Sequence, residues 1–151
     1  MGSLQILEYR KLYNTAHEKK EDCELLLDLT KDAENHVTKA YWAAAKMVSC
    51  KYILNPFIII KVFNEGKNSL EKLIKQHPEE PELYYLRYTI QVNTPAFVGY
   101  NKNKTEDRKT LINYLSSSKD IELREHILFY LINTNDISEE EKQIIKSNRF
   151  L

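Results

Sequence analysis

Three glycines and four prolines in 151 residues leave this chain few places to turn sharply. Glycine opens the left-handed backbone that tight turns need, and proline breaks regular hydrogen bonding. Their scarcity argues against turn-rich β architectures and against disordered linkers, and it favours helices. The positions of the breakers also divide the chain. Asn55-Pro56 cuts the most apolar region, Ala40 to Phe63. Asparagine can cap a helix, proline suits the first helical position, and the residue before proline resists helical backbone. The run His77-Pro78-Glu79-Glu80-Pro81 is a second break, and Asn93-Thr94-Pro95 is a third.

Apolar spacing between these breaks predicts the helices. The first runs over roughly Leu4 to Thr15 and the second over roughly Glu18 to Thr30. Asp32 caps a third that reaches about Leu54, with Val37, Tyr41, Ala44, Ala45 and Val48 on one face. Its alanine run allows close approach of a neighbour. A fourth runs from Pro56 to about Gln76, with a stripe of Ile60, Phe63, Lys67, Leu70, Leu73 and Ile74. Gly66 inside it costs about 1 kcal/mol against alanine, which points to a packing reason. Pro81 opens a fifth helix ending near Asn93, and Ala96 to Asn103 is a loop. Thr105 caps the sixth helix, Asp120 the seventh, and Ser138 with Glu141 forms a capping box for the last. No stretch reads as a strand.

The size fits a single helical domain over residues 1–151. Lysine plus arginine equals aspartate plus glutamate at 22 each, so the net charge gives no electrostatic footprint for nucleic acid or for anionic lipid. Lysines interrupt the apolar region, so no membrane span is expected. Met1-Gly2-Ser3 carries neither the basic nor the apolar part of a secretory leader. The expected chain is soluble, either cytoplasmic or exported with its leader removed. Cys23 and Cys50 lack CxxC spacing and read as structural thiols, with pairing left open.

Gly66, Leu70, Leu73 and Pro78 have the spacing of the second helix of a tetratricopeptide repeat, and Tyr84 and Tyr88 fall near the large positions of a following first helix. This resembles one repeat boundary. The Asn55-Pro56 break falls later than a tetratricopeptide turn, and the upstream helices are longer, so no peptide-binding residue carries over. The stretches "KYILNPF" and "LRYTIQVNTPAFVGYNKN", followed by Asp107, are similar to a group of small bacterial helical proteins of no established function. That resemblance covers about Lys39 to Ile112. It implies an all-α, tetratricopeptide-like helical-hairpin stack, an α-solenoid of about seven or eight helices.

No HExxH, GxSxG, glycine-rich phosphate loop or P-loop lysine is present. His17, His36, His77 and His126 are scattered. Glu122 and His126 stand one turn apart but lack a third ligand, so no metal or cofactor is expected. Carboxylates lie mostly on polar faces and caps. An enzyme is therefore not expected, and an unrecognised hydrolase is the remote alternative.

The stretch Leu83 to Asn103 is different. Its helical half is apolar nearly all round, which predicts a buried central helix, and projection places Phe97 with Leu83, Leu86 and Ile90. A buried Arg87 needs a partner, and Asp107 or a carboxylate from another helix could serve. Two roles are open for its polar residues. Arg87, Gln91 and Asn93 either lock the Pro95–Tyr100 loop, or Tyr41, Tyr84, Arg87, Tyr88 and Gln91 line a groove for a peptide or carboxylate. Asn35 to Asn64 contains no acidic residue but four lysines, which reads as apolar helices with snorkelling lysines or as a weak surface for an acidic partner. The expected function is a non-catalytic scaffold or peptide-binding module. The alternative is a self-associating structural domain, its homo-oligomer contact made by Ile144, Ile145, Phe150 and Leu151.

Overall fold

The computed structural model describes residues 3–148. Every regular element among them is helical: α1 (Ser3–Ala16), α2 (Lys20–Thr30), α3 (His36–Ser49), α4 (Pro56–Gln76), α5 (Pro81–Asn93), α6 (Lys104–Ser117), α7 (Ile121–Asn133) and α8 (Glu139–Asn148), with 3-10 turns at Cys50–Tyr52 and Ala96–Val98. The chain packs as two units, residues 1–86 and 87–151, with the division inside α5.

In the first unit α1, α2 and α3 pack on one another, and α4 packs on α3. Tyr13, Ala16, Cys23, Leu26, Ala40, Tyr41, Ala44 and Leu70 are buried. The alanine run and Gly66 let α3 and α4 approach closely. A Cβ built on Gly66 would lie 2.5 Å from the Ala43 carbonyl oxygen and 3.0 Å from Met47 Cγ. Asn55 caps α4 by accepting from the Phe57 amide at 2.9 Å, with Pro56 in the first turn.

Two boundaries differ from the expected ones. The α3 cap is Asn35, which accepts from Thr38 N at 2.9 Å, and not Asp32. Helix α3 also stops at Ser49, where a 3-10 turn takes over. That turn is tied to the end of α1: the Tyr52 hydroxyl donates to Ala16 O at 2.5 Å and Lys51 Nζ to His17 O. The early stop leaves α3 with 14 residues against 21 in α4. Seven residues at about 1.5 Å each leave about 10 Å of α4 without cover from α3. Hence the expected α4 stripe is buried from Gly66 through Leu70, Leu73 and Ile74, while Ile60 is exposed.

In the second unit α6, α7 and α8 pack against one another. Their shared core holds Leu111, Ile112, Leu115, Leu123, Ile127, Leu131 and Ile145. Asp120 caps α7 through Leu123 N at 3.1 Å. Ser138 and Glu141 form the reciprocal capping box of α8, at 3.1 and 3.2 Å. Helix α6 starts at Lys104, one residue before the expected Thr105 cap, and the preceding Asn103 makes no side-chain cap. Arg108 holds α8 from α6, with Nε 2.7 Å from Glu141 and a second nitrogen 2.8 Å from Asp136. Ile145 is buried in this core, not on a surface patch, whereas Ile144 is exposed. Phe150 and Leu151 lie outside the described residues. None of the described helices is long and apolar enough to cross a membrane.

Candidate functional site

Helix α5 carries four of the five candidate residues, Tyr41 lying on α3, and it is buried nearly all round. Glu82, Leu83 and every residue from Tyr85 to Gln91 are buried, with Tyr84 half-buried. A helix without a polar stripe must satisfy its charged side chains internally.

Its first turn does so within the first unit. Glu82 receives a two-pronged pair from Arg10, Nε to Oε2 and a terminal nitrogen to Oε1, both at 2.8 Å. The Tyr41 hydroxyl also donates to Glu82 Oε2. Burial first, and then the Glu82 charge, push the Tyr41 phenol well above its ordinary range. Tyr84 donates its hydroxyl to Pro78 O at 2.7 Å, closing the turn before its own helix.

The rest of α5 does so within the second unit. Arg87, 7% exposed, pairs with Asp107 of α6 through Nε and a terminal nitrogen, both at 2.8 Å. The Tyr88 hydroxyl donates to Asp136 at 3.1 Å, and burial followed by that carboxylate push its phenol upward. The Gln91 amide makes a closed pair with Asn103: its nitrogen donates to Asn103 Oδ1 at 3.0 Å, and its oxygen accepts from Asn103 N at 2.9 Å. Asn93 donates to Thr89 O and to the Tyr130 hydroxyl. No buried side-chain nitrogen or oxygen among the described residues lacks a hydrogen-bond partner.

The five groove candidates thus find five different partners. Tyr41 turns to Glu82, Tyr84 to Pro78, Arg87 to Asp107, Tyr88 to Asp136 and Gln91 to Asn103. Gln91 and Asn103 together pin the end of the loop between α5 and α6. Tyr100 is buried and anchors the loop's middle, and Gly99 turns it with φ of 78°, the left-handed region where glycine is unstrained. Between these anchors Phe97 is 91% exposed and Val98 stands beside it. Projection along the helix placed Phe97 on the buried side. Pro95 ends that projection, because it begins a 3-10 turn with a different direction.

Three of the histidines have close side-chain partners. His126 Nε2 lies 2.6 Å from Glu122 Oε1. His36 and His77 stack with ring centroids 4.0 Å apart, and His36 Nε2 lies 2.9 Å from Glu80. Among the described residues no three His, Cys, Asp or Glu side chains are placed to hold a metal ion. Both cysteines are free thiols. Comparison with protein-family models, with curated proteins and with solved structures finds no match.

Proposed function

We propose that this chain is a non-catalytic protein- or peptide-interaction module of the tetratricopeptide-like, helical-hairpin kind. Neighbouring helices pack in chain order in the first unit, as hairpin stacking requires. The observation that carries the reading is the α5–α6 loop. It presents Phe97 almost fully to solvent, while Gln91, Asn103 and Tyr100 hold it from below. An aromatic side chain on a loop already fixed in place is the arrangement that binding anchors use. Large apolar contact is available at little ordering cost. In this reading Arg87 and Gln91 are positioning residues, and the partner protein supplies the pocket for Phe97.

The test is chemical cross-linking of the tagged chain in its native cells, comparing wild type, Phe97→Ala and Gln91→Ala. Phe97→Ala should keep the circular dichroism and melting curve of the wild type and lose the specific cross-linked partner. Gln91→Ala should weaken the same cross-link while Phe97 remains. An unchanged partner set with Phe97→Ala sinks the reading.

A further inference from the structure

A second surface lies in the first unit, at the free end of the α3–α4 hairpin. Leu54 is 98% exposed and Phe57 80% exposed, with Ile58 and Ile60 also on the surface. They stand there because α4 outruns α3. Lys51 and Lys61 flank them, and both are exposed, with Lys51 Nζ also donating to His17 O. No carboxylate occurs from Asn35 to Asn64, and the first beyond it, Glu65, lies 3.5 Å from Lys46. Carboxylates do approach Tyr52 from the α1–α2 turn and the first turn of α2. Burial, then Cys23, then Glu21, Asp22 and Glu18 push its phenol upward. None belongs to the segment from Leu54 to Lys61.

Cores of protein interfaces are depleted in lysine, and each anchor needs a cavity shaped to it. A bilayer boundary needs no shaped cavity. It closes around projecting leucine and phenylalanine side chains, while flanking ammonium groups meet anionic headgroups. We propose that the tip of the α3–α4 hairpin docks on an anionic lipid surface, with Leu54 and Phe57 entering the headgroup–acyl boundary and Lys51 and Lys61 at the headgroups. Contact is shallow and reversible, since two side chains enter. The inference does not depend on Phe97, which stands in the other unit.

The experiment is flotation of the full chain with vesicles of phosphatidylcholine alone, or with about one-third phosphatidylserine. Wild type should float with the anionic vesicles, less so at high salt, and weakly with the neutral ones. Leu54→Ser/Phe57→Ser should cut binding by about tenfold or more. Lys51→Gln/Lys61→Gln should remove the preference for phosphatidylserine. Phe97→Ala should float like wild type, which separates this test from that of the loop. All five side chains are exposed, and unchanged melting curves confirm that the variants are folded. The proposal is overturned by wild type that floats with neither vesicle, by equal flotation of the Leu54/Phe57 variant, or by indifference to lipid charge. Cross-linking of the tip to an acidic protein without vesicle binding would overturn it too.

Discussion

At the scale of single residues, the buried charges of α5 matter most for stability. Arg87 and Asp107 are each almost sealed from water, so removing one partner strands the other charge. Asp107→Leu should cost about 3–5 kcal/mol in urea unfolding, while Arg87→Leu/Asp107→Leu should recover most of that loss. A double variant as unstable as the single one would mean that the pair itself, and not the stranded charge, supplies the stability. The thiols make a second residue-scale prediction. Cys23 is 1% exposed, and burial first, then Glu24 and Cys50, push its thiol up to about 11. Only thiolate reacts with alkylating agents, so iodoacetamide at neutral pH should modify half-buried Cys50 at least about tenfold faster than Cys23. Mass spectrometry of the peptides reads both rates, and equal rates in the folded protein would contradict this account.

At the scale of elements, Gly66 sets the distance between α3 and α4. Its added Cβ would meet backbone, which cannot yield as a flexible side chain can. Gly66→Ala gains about 1 kcal/mol of helix propensity but forces the helices apart, an overpacking cost of about 1–3 kcal/mol. The expected outcome in urea unfolding is a net loss, and a gain would place slack between the helices. Helix α8 depends on Arg108. Burial raises the Glu141 carboxyl, but hydrogen bonds from Arg108 and Ser138 outweigh it and hold the carboxyl below its usual 4.5. The folded state therefore binds this proton less readily than the unfolded chain does. The contribution is present above about pH 4.5 and fades as pH falls through the folded value. Glu141→Gln should lower the melting temperature by a few degrees at pH 7, and the two curves should converge in acid. Much of this element scale was readable beforehand. Asn55-Pro56, Asp120 and Ser138 with Glu141 fixed three helix starts, because a cap is local chemistry between near neighbours. The early end of α3 was not readable, since the contacts that turn the chain there come from Ala16 and His17, over thirty residues away. Phe97 was misplaced for a related reason: a helical projection has no meaning past the proline that ends the helix.

At the scale of the whole molecule, α5 serves both units with the same device. One two-pronged arginine–carboxylate pair, Arg10 with Glu82, fastens its first turn in the first unit, and another, Arg87 with Asp107, fastens its middle in the second. The sequence offered Asp107 as one candidate partner for Arg87, 20 residues along the chain. It did not foretell the first pair, whose partners are 72 residues apart. The two members of each pair belong to the same unit, so each pair should control local opening there. Hydrogen exchange on the intact chain can separate them. Glu82→Gln removes the acceptor charge shared by Arg10 and Tyr41, and it should raise exchange in α1 and α3 while α6 and α7 keep their protection. Asp107→Asn should do the converse, raising exchange in α6 with α1 and α3 unchanged. Were either substitution to raise exchange evenly from α1 to α8, the chain would open as one cooperative body, and two separately fastened units would be the wrong description.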